Sequence, residues 1–451
     1  MKKFKPYQPN QTILFPPSPQ DWLPEDHVAY VIDEVVEQLD LSAIYNDYRD
    51  SRGQPPYQPK MMVKVLIYAV IKGIHSSRKI ETALYEDVGF RFLAGNQQPD
   101  HWTIAAFRRR HHRALGDLFV QTVKLAQRAG LVKLGHVSLD GTKIKAYASK
   151  HSAMSYGRMK QEEERLRREI DAILDLMEKT DRAEDKKYGH RRGDELPAEL
   201  ATRQKRLEAI RRAREELEAE ARARAAKEQA RRREEAAKQG KSCRSKGDPA
   251  KAVPRDRDQR NFTDPESRIM KNADKAFIQA YNAQACVDAE TGIIVAADLS
   301  NQAADAPLLP ASIEQVEENT GRTPKEVSAD AGYYSADNLA YLAARGIEAY
   351  IPPGKIKHNE WRELKPPRGR MPQDISLRDL MWRKLRTKHG RERYKLRQTS
   401  VEPAFGIIKE VFGLRQFLLR GLDKVRLIWR FTCGVHNLMK LFRAGFRVKL
   451  A

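Results

Sequence analysis

Cysteine is nearly absent from this chain. Cys243, Cys286 and Cys433 are the only three among 451 residues. They lie far apart and form no CxxC spacing, which excludes a disulfide framework and a cysteine zinc site and fits a reducing cytoplasm. Acidic residues are in deficit: 61 Asp and Glu stand against 83 Lys and Arg, a formal net charge of +22. A balance so far from neutral favours a polyanionic partner, nucleic acid before an anionic membrane surface. Long apolar runs are missing as well. The most apolar stretch, "MMVKVLIYAVIKGI", is short and carries Lys64 and Lys72, so it reads as a buried helix and not as a membrane span. The N-terminal "MKKFKPYQPNQTILFPPSPQ" has no apolar segment followed by a small-residue cleavage site, so no secretory signal is expected.

What is present divides into regions of different pattern. Residues 1–25 are Pro-rich and read as an extended arm. From His27 to about Leu115 apolar residues recur at three- and four-residue steps, the pattern of amphipathic helices. In "PDHWTIAAFRRRHHRALGDLFVQTVKLAQRAG", Asp100 or Thr103 caps a helix whose next turns hold Arg108, Arg109, Arg110 and Arg113. A short helix entering a basic one resembles a helix-turn-helix reader of DNA. The plain alternative is a solvated basic face on a core helix.

Strand character appears in "HVSLDGTKIKAY", residues 136–147, and the composition then changes abruptly. Leu166, Ile170, Ile173 and Met177 alternate at four- and three-residue steps, and Leu200, Leu207, Ile210 and Leu217 form a similar seam. Between the two lies a breaker-rich stretch with Gly189, Gly193 and Pro197. The pattern predicts an antiparallel helical hairpin inserted between strands, followed by a flexible basic linker over 236–262. "AFIQAYNAQACVDAETGIIVAADLS" then predicts two strands joined by a turn at Ala289–Gly292. Helix, strand, helix and strand follow through "IEAYIPP". Residues 353–400 read as basic and irregular, and "TSVEPAFGIIKEVFGL" restarts a helix. This order predicts an α/β fold: a mixed sheet with helices on its faces.

Three acids stand out by position. Asp140 and Asp330 each end a predicted strand, in "HVSLD" and "EVSAD". Glu402 lies on the helix that also presents Phe405 and Ile408. In a mixed sheet the strands of Asp140 and Asp330 can be neighbours, and a packed helix can bring Glu402 alongside. Clustered carboxylates raise one another's pKa unless a cation sits among them. Oxygen ligands with open positions suit Mg²⁺ or Mn²⁺, and two such ions about 4 Å apart serve phosphodiester chemistry. The alternative is three unrelated surface acids, with Asp330 a turn residue or helix cap.

Here the residues carry a family resemblance. "VSLDGTKIKAYASK", "DPESRIMK", "YNAQACVDAETGIIVAADLSNQAADAPLL", "VSADAGYYS" and "YKLRQTSVEPAFGIIKEVFGLRQF" resemble blocks of the DDE transposases of bacterial insertion sequences. The resemblance runs from about residue 15 to 445. It implies an RNase H-like core with flanking helices over 131–156 and 262–445. A helical DNA-binding region over 1–130 precedes that core, and a coiled-coil-like insertion with its linker over 157–261 interrupts it. It places the catalytic, metal-binding triad on Asp140, Asp330 and Glu402, with two Mg²⁺ or Mn²⁺ ions expected. A Tyr, Arg, Glu, Lys signature falls on Tyr394, Arg397, Glu402 and Lys409, although four residues separate Arg397 from Glu402 where the commonest form has three. Tyr394, Arg397 and Lys409 are thereby DNA-binding candidates, together with Arg108, Arg109 and Arg110. The implied partners are double-stranded DNA, at the element's terminal inverted repeats and at the target, and further copies of the chain in a dimer or higher assembly. No membrane partner is implied, and the expected location is the bacterial cytoplasm at the nucleoid. The rival readings are a catalytically inactive or repurposed DNA-binding protein and an RNase H-like nuclease without strand transfer.

Among other residues, Asp264 and Arg268 read as a local ion pair, and Asp305 as the N-cap of the following helix. Trp102, Trp361, Trp382 and Trp429 read chiefly as core residues, with Trp361 and Trp382 the better candidates for stacking on an unpaired base.

Overall fold

The computed structural model describes residues 18–48, 55–188, 198–238, 240, 247–272, 274–354, 365–366, 369 and 374–445. Eight helices come first: α1 (Pro19–Trp22), α2 (Val28–Glu37), α3 (Ser42–Tyr45), α4 (Pro59–Ile71), α5 (Ser77–Glu86), α6 (Val88–Leu93), α7 (His101–Arg110) and α8 (His112–Arg128). From α2 onward each buries apolar residues. Ala29, Ile32, Val35 and Val36 form the buried face of α2. α4 starts on Pro59, which needs no amide partner at a first helical turn, and is buried on nearly every side. Asp100 caps α7, accepting from the Thr103 amide at 2.7 Å. In the arm, Ser18 and Asp21 form a capping box that starts α1, so residues 19–22 are helical where an extended chain was expected. The expected arm over 1–17 lies outside the described residues.

The sheet is mixed. β1 (His136–Lys145) lies between β5 (Phe277–Asp288), its antiparallel neighbour, and β7 (Glu326–Ala329), its parallel one. β8 (Glu348–Tyr350) continues parallel beyond β7. On the far edge of β5, β4 (Arg268–Lys271) and β6 (Ile294–Ser300) pair antiparallel with successive parts of the same strand. The β5–β6 turn is set by Gly292 at φ +73° and by Asp288, whose carboxylate accepts the amides of Glu290 and Thr291 on one oxygen and of Lys133 and Leu134 on the other. α11 (Leu309–Thr320) leads to β7, and α12 (Ala336–Ala344) to β8.

The region read as irregular over 353–400 holds two helices, α13 (Leu377–Arg386) and α14 (Lys388–Thr399). Their charge hid a narrow apolar face, Met381 and Leu385, and caps at Ser376 and Thr387. α15 (Val401–Gly406) follows. It passes into a π-helical turn over Ile407–Val411, where the Phe412 amide bonds the Ile407 carbonyl. α16 (Leu422–Arg443) closes the fold against α8 and β6. Trp429 is fully buried on it and donates to the Gln284 carbonyl at 2.9 Å. One continuous apolar core runs from Ala29 through the sheet to Leu441.

Trp102, read as core, is 67% exposed. Trp361 lies outside the described residues, as do Cys243 and the breaker residues Gly189, Gly193 and Pro197. Cys286 and Cys433 are free and buried.

Two long helices, α9 (Tyr156–Tyr188) and α10 (Ala198–Lys238), separate β1 from β4 in sequence. They run antiparallel, because partners of rising number on α9 fall on α10: Glu163 meets Arg211 and Arg214, and Glu169 meets Arg203. Leu166, Ile170, Leu207, Ile210 and Leu217 form a small core of their own, with Ile173 against it. The side chains of Met177 and Leu200 lie outside the described residues. Glu163 is buried within this seam. Burial alone would raise its pKa, but Arg211, Arg214 and Arg167 hold it below the ordinary value. A two-stranded ribbon of β2 (Ala153–Ser155) and β3 (Gln259–Asn261) ties the base of the hairpin, a feature the sequence reading did not foresee.

Since the hairpin packs on itself, replacing 160–235 by a short linker is expected to leave the sheet and its helices folded. Circular dichroism and a cooperative melt of the truncated chain check this. A molten core would show that the two apolar clusters depend on each other.

Candidate active site

The parallel pairing of β1 with β7 sets the site. Its register ends at Leu139 opposite Ala329, so the next residues, Asp140 and Asp330, stand side by side: Asp330 leaves β7, whereas Asp140, expected at a strand end, is the fifth residue of β1, which runs on to Lys145 paired with β5. Asp140 accepts the Gly141 amide on Oδ1 at 2.8 Å and the Arg397 guanidinium on Oδ2 at 2.9 Å. Asp330 accepts the Gly332 amide at 2.8 Å and caps the short 3₁₀ turn Ala331–Tyr333. Capping is thus part of what Asp330 does in the fold, and it leaves the second oxygen of the carboxylate for other work.

Glu402 lies exposed in the first turn of α15. The Ser400 hydroxyl, at the end of α14, donates to the Ser138 hydroxyl at 2.8 Å and so fastens this junction to β1 two residues before Asp140. Burial pushes the Asp140 carboxyl up to about 6. Arg397 opposes that shift, and Asp330 and Glu402 add to it. The ion pair therefore loses to enclosure and to two like charges nearby, the signature of carboxylates gathered into one neighbourhood. Among the described residues, no group of three or more His, Cys, Asp or Glu is arranged to hold a metal ion.

The remaining signature residues fall around the same point. Arg397 is buried on α14 and donates to Tyr394 Oη at 3.1 Å as well as to Asp140. Arg393, one turn earlier, pairs with Glu326 at 2.6 Å and fastens α14 to β7. Lys409 sits in the π turn, half-buried. Burial lowers its pKa, as does Arg415, while Asp140 raises it. With i→i+5 bonding in that turn, Lys409 does not follow Glu402 by two regular α-turns, yet it still faces Asp140. The arginines of α7 lie elsewhere. Arg108 turns inward and donates to the His75 carbonyl at 2.6 Å, and desolvation lowers its pKa. Arg109 and Arg110 are exposed, with Arg110 lying 4.7 Å over the Tyr48 ring.

One cluster beside the site was not anticipated. Asp305 caps nothing with its side chain. Its Oδ1 accepts from Lys143 at 3.0 Å, Asn282 at 2.6 Å and Gln284 at 3.2 Å. Tyr333 donates to the other end of Gln284. A Cβ on Gly141 would lie 2.4 Å from the Gln284 amide and 3.0 Å from Asp305, and one on Gly332 would lie 3.3 Å from Asp305. Asp305 thus lies against Gly141 and Gly332, the glycines that follow Asp140 and Asp330. Only the small residues after Asp140 and Asp330 signalled in the sequence that something approaches there. Asp264 was also misread. It is fully buried and accepts from the Tyr281 hydroxyl and the Gly421 amide, whereas Arg268 pairs with Glu220 of the hairpin.

Two protein families match this chain. The family described as Transposase domain (DUF772) matches residues 17–110, the helices up to α7. The family described as Transposase DDE domain matches residues 247–438, which take in Asp330, Tyr394, Arg397, Glu402 and Lys409. The chain belongs to the DDE transposases of insertion elements. The DDE match begins after the hairpin, so Asp140 stands outside it and is tied to the site by the sheet register and by its ion pair with Arg397. No curated protein and no solved structure gave a match. The family implies a transposition enzyme that acts on DNA with divalent metal ions. Among the described residues, no helix of the transposase is long and apolar enough to cross a membrane.

Proposed function

We propose that this transposase cuts DNA at the ends of its own insertion element and joins the freed 3′-hydroxyl to target DNA, with Asp140, Asp330 and Glu402 as its catalytic carboxylates. The observation that carries the reading is the β1–β7 register, which sets Asp140, within β1, beside Asp330, just past the end of β7, and within electrostatic reach of Glu402. The antiparallel β6–β5–β1 set continued by parallel β7 and β8 supports an RNase H-like core, and the helices before β1 a DNA-binding region.

The donor chemistry of these residues suits the divalent ions the family implies, although the three carboxylates are not gathered into a ready metal-binding group in this structure. Their donors are all oxygen, the set that suits Mg²⁺ or Mn²⁺, and Asp140 Oδ2 already accepts a cation in the form of the Arg397 guanidinium. Two such ions, when bound, supply an activated water and charge for the leaving oxygen of a phosphodiester. Arg397 and Lys409 would supply positive charge for DNA phosphates beside the carboxylates, and Tyr394, which accepts from Arg397, would keep the guanidinium in line. Arg109 and Arg110 extend phosphate contact to the N-terminal helices. Joining two ends requires two sites, so the working form is a dimer or larger assembly on DNA.

The test is a labelled duplex carrying the element's end, incubated with Mg²⁺ and a target plasmid. A nick that leaves a 3′-hydroxyl, followed by labelled plasmid, is the expected result. Nicking without joined product would leave a nuclease, and binding without nicking a DNA-binding protein only.

A further inference from the structure

A cleft of about 650 Å³ opens between the end of β1 and the tip of the β4–β5 hairpin. Lys145, Tyr147, Lys150, His151, Phe277 and Arg420 are on its walls. A second cleft of about 400 Å³ shares Tyr147 and Arg420 with it and continues to Lys424, His112 and Arg109 of α7. Among the described residues, no Asp or Glu lines either cleft, in a chain that has 61 of them. Phe277 is 63% exposed and Tyr147 46%, and the Arg420 guanidinium lies 5.0 Å from the Tyr147 ring centre. Large exposed rings in a cationic trough need a partner with both flat faces and negative charge.

The near end of the channel lies along β1 from the catalytic carboxylates. Lys145 is five residues from Asp140 on the same strand, about 17 Å at the usual rise per residue. Lys409 senses both Asp140 and Asp274, the latter at the hairpin tip three residues before Phe277. A cleft of this size takes groups on the scale of a nucleotide base with its phosphate.

We propose that this channel binds an unpaired DNA strand leaving the active site, with bases stacked on Phe277 and Tyr147 and phosphates held by Lys145, Lys150 and Arg420. The inference rests on the reading of the core as a transposase that opens DNA ends, and it adds the path of the single strand. Arg109 and Lys424 carry the same strand on toward the N-terminal helices. Rings recognise any base face, so the channel is tolerant of sequence and steep in salt.

The experiment uses the full chain and an end duplex with a short single-stranded extension bearing 2-aminopurine, whose fluorescence falls on stacking. The parent should quench the probe and bind the extended end more tightly than the blunt one. Tyr147→Leu and Phe277→Leu keep apolar bulk and remove the ring. Each should abolish quenching at its own position and lower affinity for the extended end about tenfold, while blunt-end affinity and melting temperature stay at the parent's values. Lys145→Gln and Arg420→Gln should each reduce the salt slope for the extension by about one. If the Leu variants quench and bind as the parent does, or if the parent does not distinguish extended from blunt ends, the channel assignment falls. A parent that binds neither DNA would instead overturn the transposase reading itself.

Discussion

Asp330→Asn, and separately Asp140→Asn, should lose Mg²⁺-dependent cleavage of element-end DNA by on the order of a thousandfold or more, the scale seen when one member of a catalytic set is removed. The same variants should bind that DNA as well as the parent, or slightly better, since a negative charge has left the neighbourhood of the phosphates. The asymmetry follows from the division of labour in the fold. The carboxylates of Asp140, within β1, and Asp330, just past β7, have no attraction for a polyanion, and their use lies in holding cations. Asparagine keeps an acceptor oxygen, so at Asp330 the Gly332 amide still has its partner and the short cap survives. A gel-shift titration beside a cleavage assay separates the two effects. If Asp330→Asn cuts like the parent, Asp330 is only the cap of a 3₁₀ turn and the triad must be sought elsewhere.

Binding to DNA should collapse with salt. The excess of 22 positive charges is the largest single feature of the composition, and phosphate contacts release counterions. A protein that neutralises roughly six to ten phosphates loses about 10³ to 10⁵ in affinity between 50 and 200 mM salt. The expected result is a straight plot of log affinity against log salt with a slope in that range. Arg109→Gln should make the slope shallower by about one, because Arg109 is exposed on α7. Arg108→Gln should leave the slope alone and lower the melting temperature, because the Arg108 guanidinium is enclosed and bonded to the His75 carbonyl. Binding that is flat in salt would assign the charge to solubility and not to DNA.

The sequence by itself determined the elements that carry periodic apolar spacing: the N-terminal helices, the two helices of the insertion, and the β5–β6 hairpin with its glycine turn. It also singled out Asp140, Asp330 and Glu402 through small neighbours and family blocks, but it ended the first strand at Asp140, where β1 in fact runs on to Lys145. It did not reveal α13 and α14, where charged residues crowd the sequence and only Met381 and Leu385 mark an apolar buried face. Tertiary structure alone decided which strands are neighbours. Parallel β1 and β7 are paired by backbone hydrogen bonds that no local pattern encodes, and that pairing is what sets Asp140 beside Asp330. It likewise turned Arg108 inward and Arg109 outward from adjacent positions, and took Asp305 from the cap that its local sequence suggested to the donors Lys143, Asn282 and Gln284. A side chain's local preference is worth about a kilocalorie per mole. A carboxylate enclosed beside three donors gains more than that, so the long-range partners prevail.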